Sequence, residues 1–210
     1  MRTQRLIAYA LGVGLTCLSA GSVLAQHPNG IPLTPLKGHY HFSLNGTCIL
    51  AASPPGFTAL PDLQPSPGAY TEVDQLYETG SITFDGLGQA ISTHKGLSIA
   101  SVAPAFNAPP YVVTYDQTCG FSYVMKSISS FTLQNGSCSG TNTTGPTAFG
   151  VPGSTAKITG LTYEGQIGAL GSVLTYGTIM PSQSSLEVSN GFNATQLCGT
   201  LVTAVRTIQG

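Results

Sequence analysis

The chain has 210 residues, of which 41% are hydrophobic and only 7% charged, with seven Lys and Arg against eight Asp and Glu. Charged side chains make up about 25% of an ordinary soluble domain, so Ser, Thr, Asn, Gln and Gly must supply most of the solvated surface. No basic patch is present, which argues against nucleic acid as a partner, and 26 Gly, 14 Pro and many β-branched residues favour an all-β fold over a helical or disordered one.

In chain order, residues 1–25 have the parts of a secretory signal: basic Arg2 and Arg5, an apolar stretch over 6–18, and Val23-Leu24-Ala25 before a cleavage point. The apolar stretch is shorter than the roughly 20 residues that span a bilayer. Cys17 follows Leu15-Thr16, which is not a lipoprotein signature. Cleavage after Ala25 would leave five basic and eight acidic side chains on residues 26–210. Residues 26–37 read as an N-terminal arm and 38–210 as one domain, with no integral membrane span after cleavage.

Within that domain the period is two, the signature of strands. Tyr40, Phe42 and Leu44 share one face, the core face, and His39, His41 and Ser43 the other. Residues 54–68 are Pro-rich and predict a long loop; a second strand covers 70–84, with Gly80 marking a bulge or a change of facing, and closes at Asp85-Gly86, a hairpin signal. A third strand spans 89–102, followed by a Pro-rich connection at 104–110. Further strands are expected at 111–115, 119–126 and 129–137, with a turn at 116–120. After a polar loop over 139–154 come strands at 157–163, 172–180, 185–189 and 196–208. About eight to ten antiparallel strands joined mostly by short turns predict a meander closed into a small barrel, with a β-sandwich as the alternative.

Cys48, Cys119, Cys138 and Cys198 follow the signal. An even number in an exported chain argues for two disulfides, and four cysteines allow three pairings. If strands alternate up and down, Cys48 and Cys198 lie at one end of a barrel whose first and last strands are neighbours. Cys119 and Cys138 likewise share one end. Cys48 with Cys198 and Cys119 with Cys138 is the pairing that agrees with a closed meander.

GHYHFSLNG near the start of the domain, GSITFDGLGQ at 80–89, YVVTYDQTCG at 111–120 and CGTLVTAVRT at 198–207 resemble a group of uncharacterised secreted bacterial proteins. Those proteins carry a G-x-Y opening, an F-D-G-x-G hairpin, a later Asp-Cys turn and a closing G-T-x-x-x-x-R strand. The third motif departs from theirs, since Gln117 and Thr118 separate Asp116 from Cys119. The resemblance implies a small secreted β-barrel and no particular catalysis.

His39 and His41 project from one strand face, as a metal-binding H-x-H pair does, but His27 and His94 are the only other histidines. The plainer reading is two polar residues on a wet face, and no metal or other cofactor is expected. Glu72, Asp74 and Glu78 share a face of the second strand and would suit acid–base chemistry; solvated carboxylates that deter edge pairing are the commoner use. Gly136-Ser137-Cys138-Ser139-Gly140 matches a nucleophile elbow in letters, yet no helix follows it, and Asn135-Gly136 reads as a tight turn. Asp85-Gly86-Leu87-Gly88 lacks the further acids of a calcium loop. N-x-[ST] triplets start at Asn45, Asn135, Asn142 and Asn193, which carry no glycan in a bacterial host.

These readings imply a secreted or periplasmic, disulfide-linked barrel that binds a ligand, with a small apolar one as the candidate, or belongs to the envelope. The rim bearing loops 51–69 and 103–110 is where a mouth is expected. The rivals are a cofactor-free enzyme of the cyclase or isomerase kind, which needs polar groups inside the barrel, and an extracellular structural or adhesive subunit.

Overall fold

The structure, a computed structural model, describes residues 36–59, 62–145, 152–178 and 183–207. The expected signal and most of the arm lie outside the described residues. Strands account for most of the rest: β1 (Lys37–Ala52), β2 (Thr71–Asp85), β3 (Gln89–Val102), β4 (Tyr111–Ser127), β5 (Ser130–Thr144), β6 (Thr155–Gly168), β7 (Val173–Thr178), β8 (Gln183–Val188) and β9 (Asn193–Arg206). Each pairs antiparallel with its neighbour, and β1 closes on β9 over Tyr40–Arg206 to Ala52–Ala194. β7 and β8 both lie between β6 and β9, one after the other along the same gap. The wall is therefore an antiparallel barrel eight strands around, with one strand position filled in two pieces.

The barrel's two halves differ. Toward the end with the β2–β3, β4–β5 and β6–β7 turns, Tyr40, Ile82, Phe84, Phe131, Leu133 and Leu174 fill the interior. Their rings meet edge to face, Phe84 lying 5.8 Å from Tyr40, 5.3 Å from Tyr123 and 5.9 Å from Phe131 between centroids. Burying each such side chain contributes roughly 1.5–3 kcal/mol. Tyr40 and Tyr123 donate their hydroxyls to the carbonyls of Gly171 and Leu36, at 2.9 and 2.6 Å. The β2–β3 hairpin closes as its Asp-Gly pair predicts: Asp85 Oδ1 accepts from the Leu87 and Gln89 amides at 2.6 and 3.0 Å, and Gly86 has φ 81°.

Glycines let aromatic rings cover the inner wall. Gly165 on β6 stands opposite Phe131 on β5, and a Cβ there would strike the Phe131 ring. Gly96 on β3 stands in the same relation to Tyr115 on β4. Gly165→Ala is expected to cost roughly 1–3 kcal/mol through overpacking, seen as a lower urea midpoint at an unchanged slope. An unaltered midpoint would mean that Phe131 has room to withdraw.

Three local expectations are corrected. The turn placed at 116–120 is the middle of β4: Gln117, Cys119 and Phe121 continue the buried face while Asp116, Thr118 and Gly120 are exposed. Asn135-Gly136 is not a turn between strands but lies within β5, where Asn135 takes φ 55° and the register slips, so the turn-forming residue serves a bulge. Gly80 marks no bulge, since both its ladders run through it in register. It allows close approach instead, because a Cβ would meet the Thr93 carbonyl and His94.

Candidate functional site

The other half of the barrel is hollow. Inward side chains of β1 through β6, β8 and β9 surround a cavity of about 160 Å³, at the end that carries the β1–β2 and β3–β4 loops. Those loops share a rim: Tyr70, just before β2, lies 4.9 Å from Phe106 of the short helical turn Pro104–Phe106 and 6.1 Å from Phe192 before β9, between ring centroids. Both disulfides line the cavity. Cys48 and Cys198 face each other across β1 and β9 with Cα atoms 4.1 Å apart, and Cys119 and Cys138 across β4 and β5 at 4.0 Å. Two intrachain disulfides fit an oxidising, extracellular-type environment. No helix among the described residues is long and apolar enough to cross a membrane.

β2 supplies the charge. Its buried face runs from Phe84 and Ile82 past Gly80 to Glu78, Asp74 and Glu72, so strand alternation turns all three acids inward, while Val73 and Tyr77 face solvent. Since β2 is paired on both sides, by β1 and β3, the acids do not guard a free edge. That corrects the expectation of solvated carboxylates.

Each carboxylate has a different environment. Glu72 Oε2 accepts from the Tyr111 hydroxyl at 2.6 Å and from the Tyr70 hydroxyl at 3.1 Å. Glu78 Oε1 accepts from the Tyr115 hydroxyl at 2.6 Å, and its Oε2 lies 3.4 Å from His94 Nε2, which is also 2.8 Å from Gln117 Oε1. Asp74 Oδ1 is buried with no hydrogen-bond partner, as are His94 Nδ1 and Ser98 Oγ.

Burial, and then the negative charge of Glu72, push the Asp74 carboxyl up to about 7; Ser98 beside it tempers the rise without meeting hydrogen-bond geometry. Burial also raises Glu72, against the pull of its two tyrosine donors. The Tyr111 and Tyr115 hydroxyls are pushed up by burial and by the neighbouring Glu72 and Glu78 charges, so both keep their protons and act as donors.

His39 and His41 lie outside this site. They are on the outer face of β1, with rings 5.4 Å apart edge to face, and His39 Nδ1 is 2.9 Å from Thr83 Oγ1. Glu72, Asp74 and Glu78 are thus on the opposite side of the wall from that pair, and His27 lies outside the described residues. No group of three or more His, Cys, Asp or Glu suited to a metal ion occurs among the described residues. Cys138, in the letters of a nucleophile elbow, is a disulfide sulfur in mid-strand.

The inward histidine is His94, and with Tyr111, Tyr115 and Gln117 it was not singled out from the sequence. The signal was phase: Ala90, Ser92, His94, Ser98 and Ala100 keep the buried face of β3, and Tyr111, Tyr115 and Gln117 keep that of Phe121 and Tyr123 along β4. Compared with known proteins, the chain matches no family model, no curated protein and no solved structure.

Proposed function

We propose that this disulfide-linked β-barrel is a secreted or periplasmic binding protein that takes a small ligand into its hollow half. The observation that carries the reading is the cavity of about 160 Å³ whose wall holds buried polar atoms without partners. Such atoms cost about 1–3 kcal/mol each when left unmade, and a bound ligand or ordered water would offset that cost. The expected leader over 1–25, the single-domain layout and the resemblance to secreted bacterial barrels belong to the same proposal. All nine strands among the described residues are bonded on both sides, which disfavours assembly by strand addition and hence the adhesive-subunit alternative.

The test is thermal melting of the oxidised protein against small molecules of cationic, neutral and anionic classes. A ligand at about 100 times its Kd should stabilise by about 2.7 kcal/mol, which raises Tm by roughly 5–10 °C for a domain of this size. A panel without any shift would count against binding.

A second reading is cofactor-free acid–base catalysis. It is favoured by Asp74, pushed up to about 7 and therefore able to give or take a proton near neutral pH. Turnover of any substrate found should then fall at least a hundredfold in Asp74→Asn, whereas a purely binding role would leave no turnover to lose.

A further inference from the structure

Resting on the binding reading above, we infer that the ligand is a small organic cation, an ammonium group on an apolar body of a few carbons, seated against Asp74 and Ser98. Three carboxylates face the cavity, and no Lys or Arg among the described residues lines it. Glu78 has His94 and Tyr115, and Glu72 has Tyr70 and Tyr111. Of the three, Asp74 is the one with a fully buried oxygen that has no partner. A buried carboxylate left unpaired is costly, and a cation beside it removes that cost.

The other unpartnered atoms can accept from a donor as well. His94 and Ser98 are only 8% and 7% exposed. His94 Nε2 faces two oxygens, Gln117 Oε1 and Glu78 Oε2, which calls for the ring hydrogen at Nε2, and in that tautomer Nδ1 offers a lone pair. Asp74 Oδ1 accepts, and Ser98 Oγ has lone pairs to offer. An anion would be repelled by the Asp74 carboxylate, with the Ser98 hydroxyl as its donor; an ammonium brings N–H donors that both oxygens accept.

Size and lining narrow the class. A cavity of about 160 Å³ is close to one that holds benzene, of about 150 Å³, so the ligand has on the order of six heavy atoms. Leu76, Val113 and Ile158 offer an apolar wall for its carbons, and the Tyr111 and Tyr115 rings add aromatic surface of the kind that attracts cations.

The test titrates the oxidised full chain with n-butylammonium, n-butanol and butyrate by calorimetry and amide NMR, in wild type and in Asp74→Asn, which keeps the side chain's size. n-Butylammonium is expected to bind at least tenfold tighter than n-butanol, with no butyrate binding. Asp74→Asn should erase the preference for the ammonium over n-butanol. If n-butanol or butyrate binds wild type as well as the ammonium does, or Asp74→Asn keeps the preference, the cation inference is overturned and the binding reading stands. If none of the three binds but a compound in the melting panel does, the cation inference again fails alone. Silence of both the three probes and the panel would overturn both.

Discussion

Replacing Cys48 and Cys198 together by alanine is expected to cost about 5 kcal/mol, and replacing Cys119 and Cys138 only about 3 kcal/mol. The two bonds are alike locally: each joins residues directly opposed on neighbouring antiparallel strands, and each lines the same cavity. Loss of buried sulfur should therefore weaken both sites similarly, and the difference comes from the chain they close. Cys48–Cys198 spans 150 residues and ties the first strand to the last, whereas Cys119–Cys138 spans 19 within one hairpin. Constraint of the unfolded chain grows with the logarithm of that length. The β1–β9 seam is where the barrel shuts, so the long-range bond also holds that ladder together. Urea midpoints of the two double variants, measured without reductant, check this. Equal losses, or a greater loss at Cys119 and Cys138, would show that local strain or residual structure outweighs chain entropy. A loss of about 5 kcal/mol is a large part of the 5–15 kcal/mol that holds a typical domain.

The wall of this barrel was legible in the sequence because two-residue alternation and turn chemistry are local. Tyr40, Phe42 and Leu44 share a face in any strand, and Asp85-Gly86 closes a hairpin wherever two strands flank it. Strand ends failed where a turn-like residue met an uninterrupted ladder. Asp116 and Gly120 resemble a turn, yet both point outward from a strand whose inner face never breaks. Asn135 adopts a positive φ inside β5 and bends the strand without ending it.

The site was harder for a different reason. Hydrophobicity normally tells inside from outside, and in β2 that cue is reversed: the acids are inside and Val73 and Tyr77 outside. Phase with Ile82 and Phe84 was the better guide. It would have turned Glu78, Asp74 and Glu72 inward and drawn attention from His41, which is exposed, to His94, which is buried.

Raising the pH from about 4 to 7 is expected to weaken the fold through Asp74, and Asp74→Asn should remove that part of the slope. Most native carboxylates act the other way, because partners lower their pKa. Asp74 has no partner at Oδ1 and is moved from 3.8 to about 7 by burial and by Glu72. Between those values the folded chain holds a proton that the unfolded chain has released, so stability falls as pH rises through the window and levels off above about 7. The full change corresponds to about 4 kcal/mol. Glu72, raised by burial, contributes in the same direction; Glu78, His94, Tyr111 and Tyr115 also line this space, and the Tyr70 hydroxyl reaches Glu72. The difference between wild type and Asp74→Asn isolates the one group. Urea unfolding at pH 4, 5.5, 7 and 8 should show the variant gaining on wild type with each step to pH 7, and parallel curves would place Asp74 in contact with water. A cation bound beside Asp74 favours its ionised form, so n-butylammonium should flatten the wild-type slope as the substitution does, but only where the carboxylate is present to be neutralised.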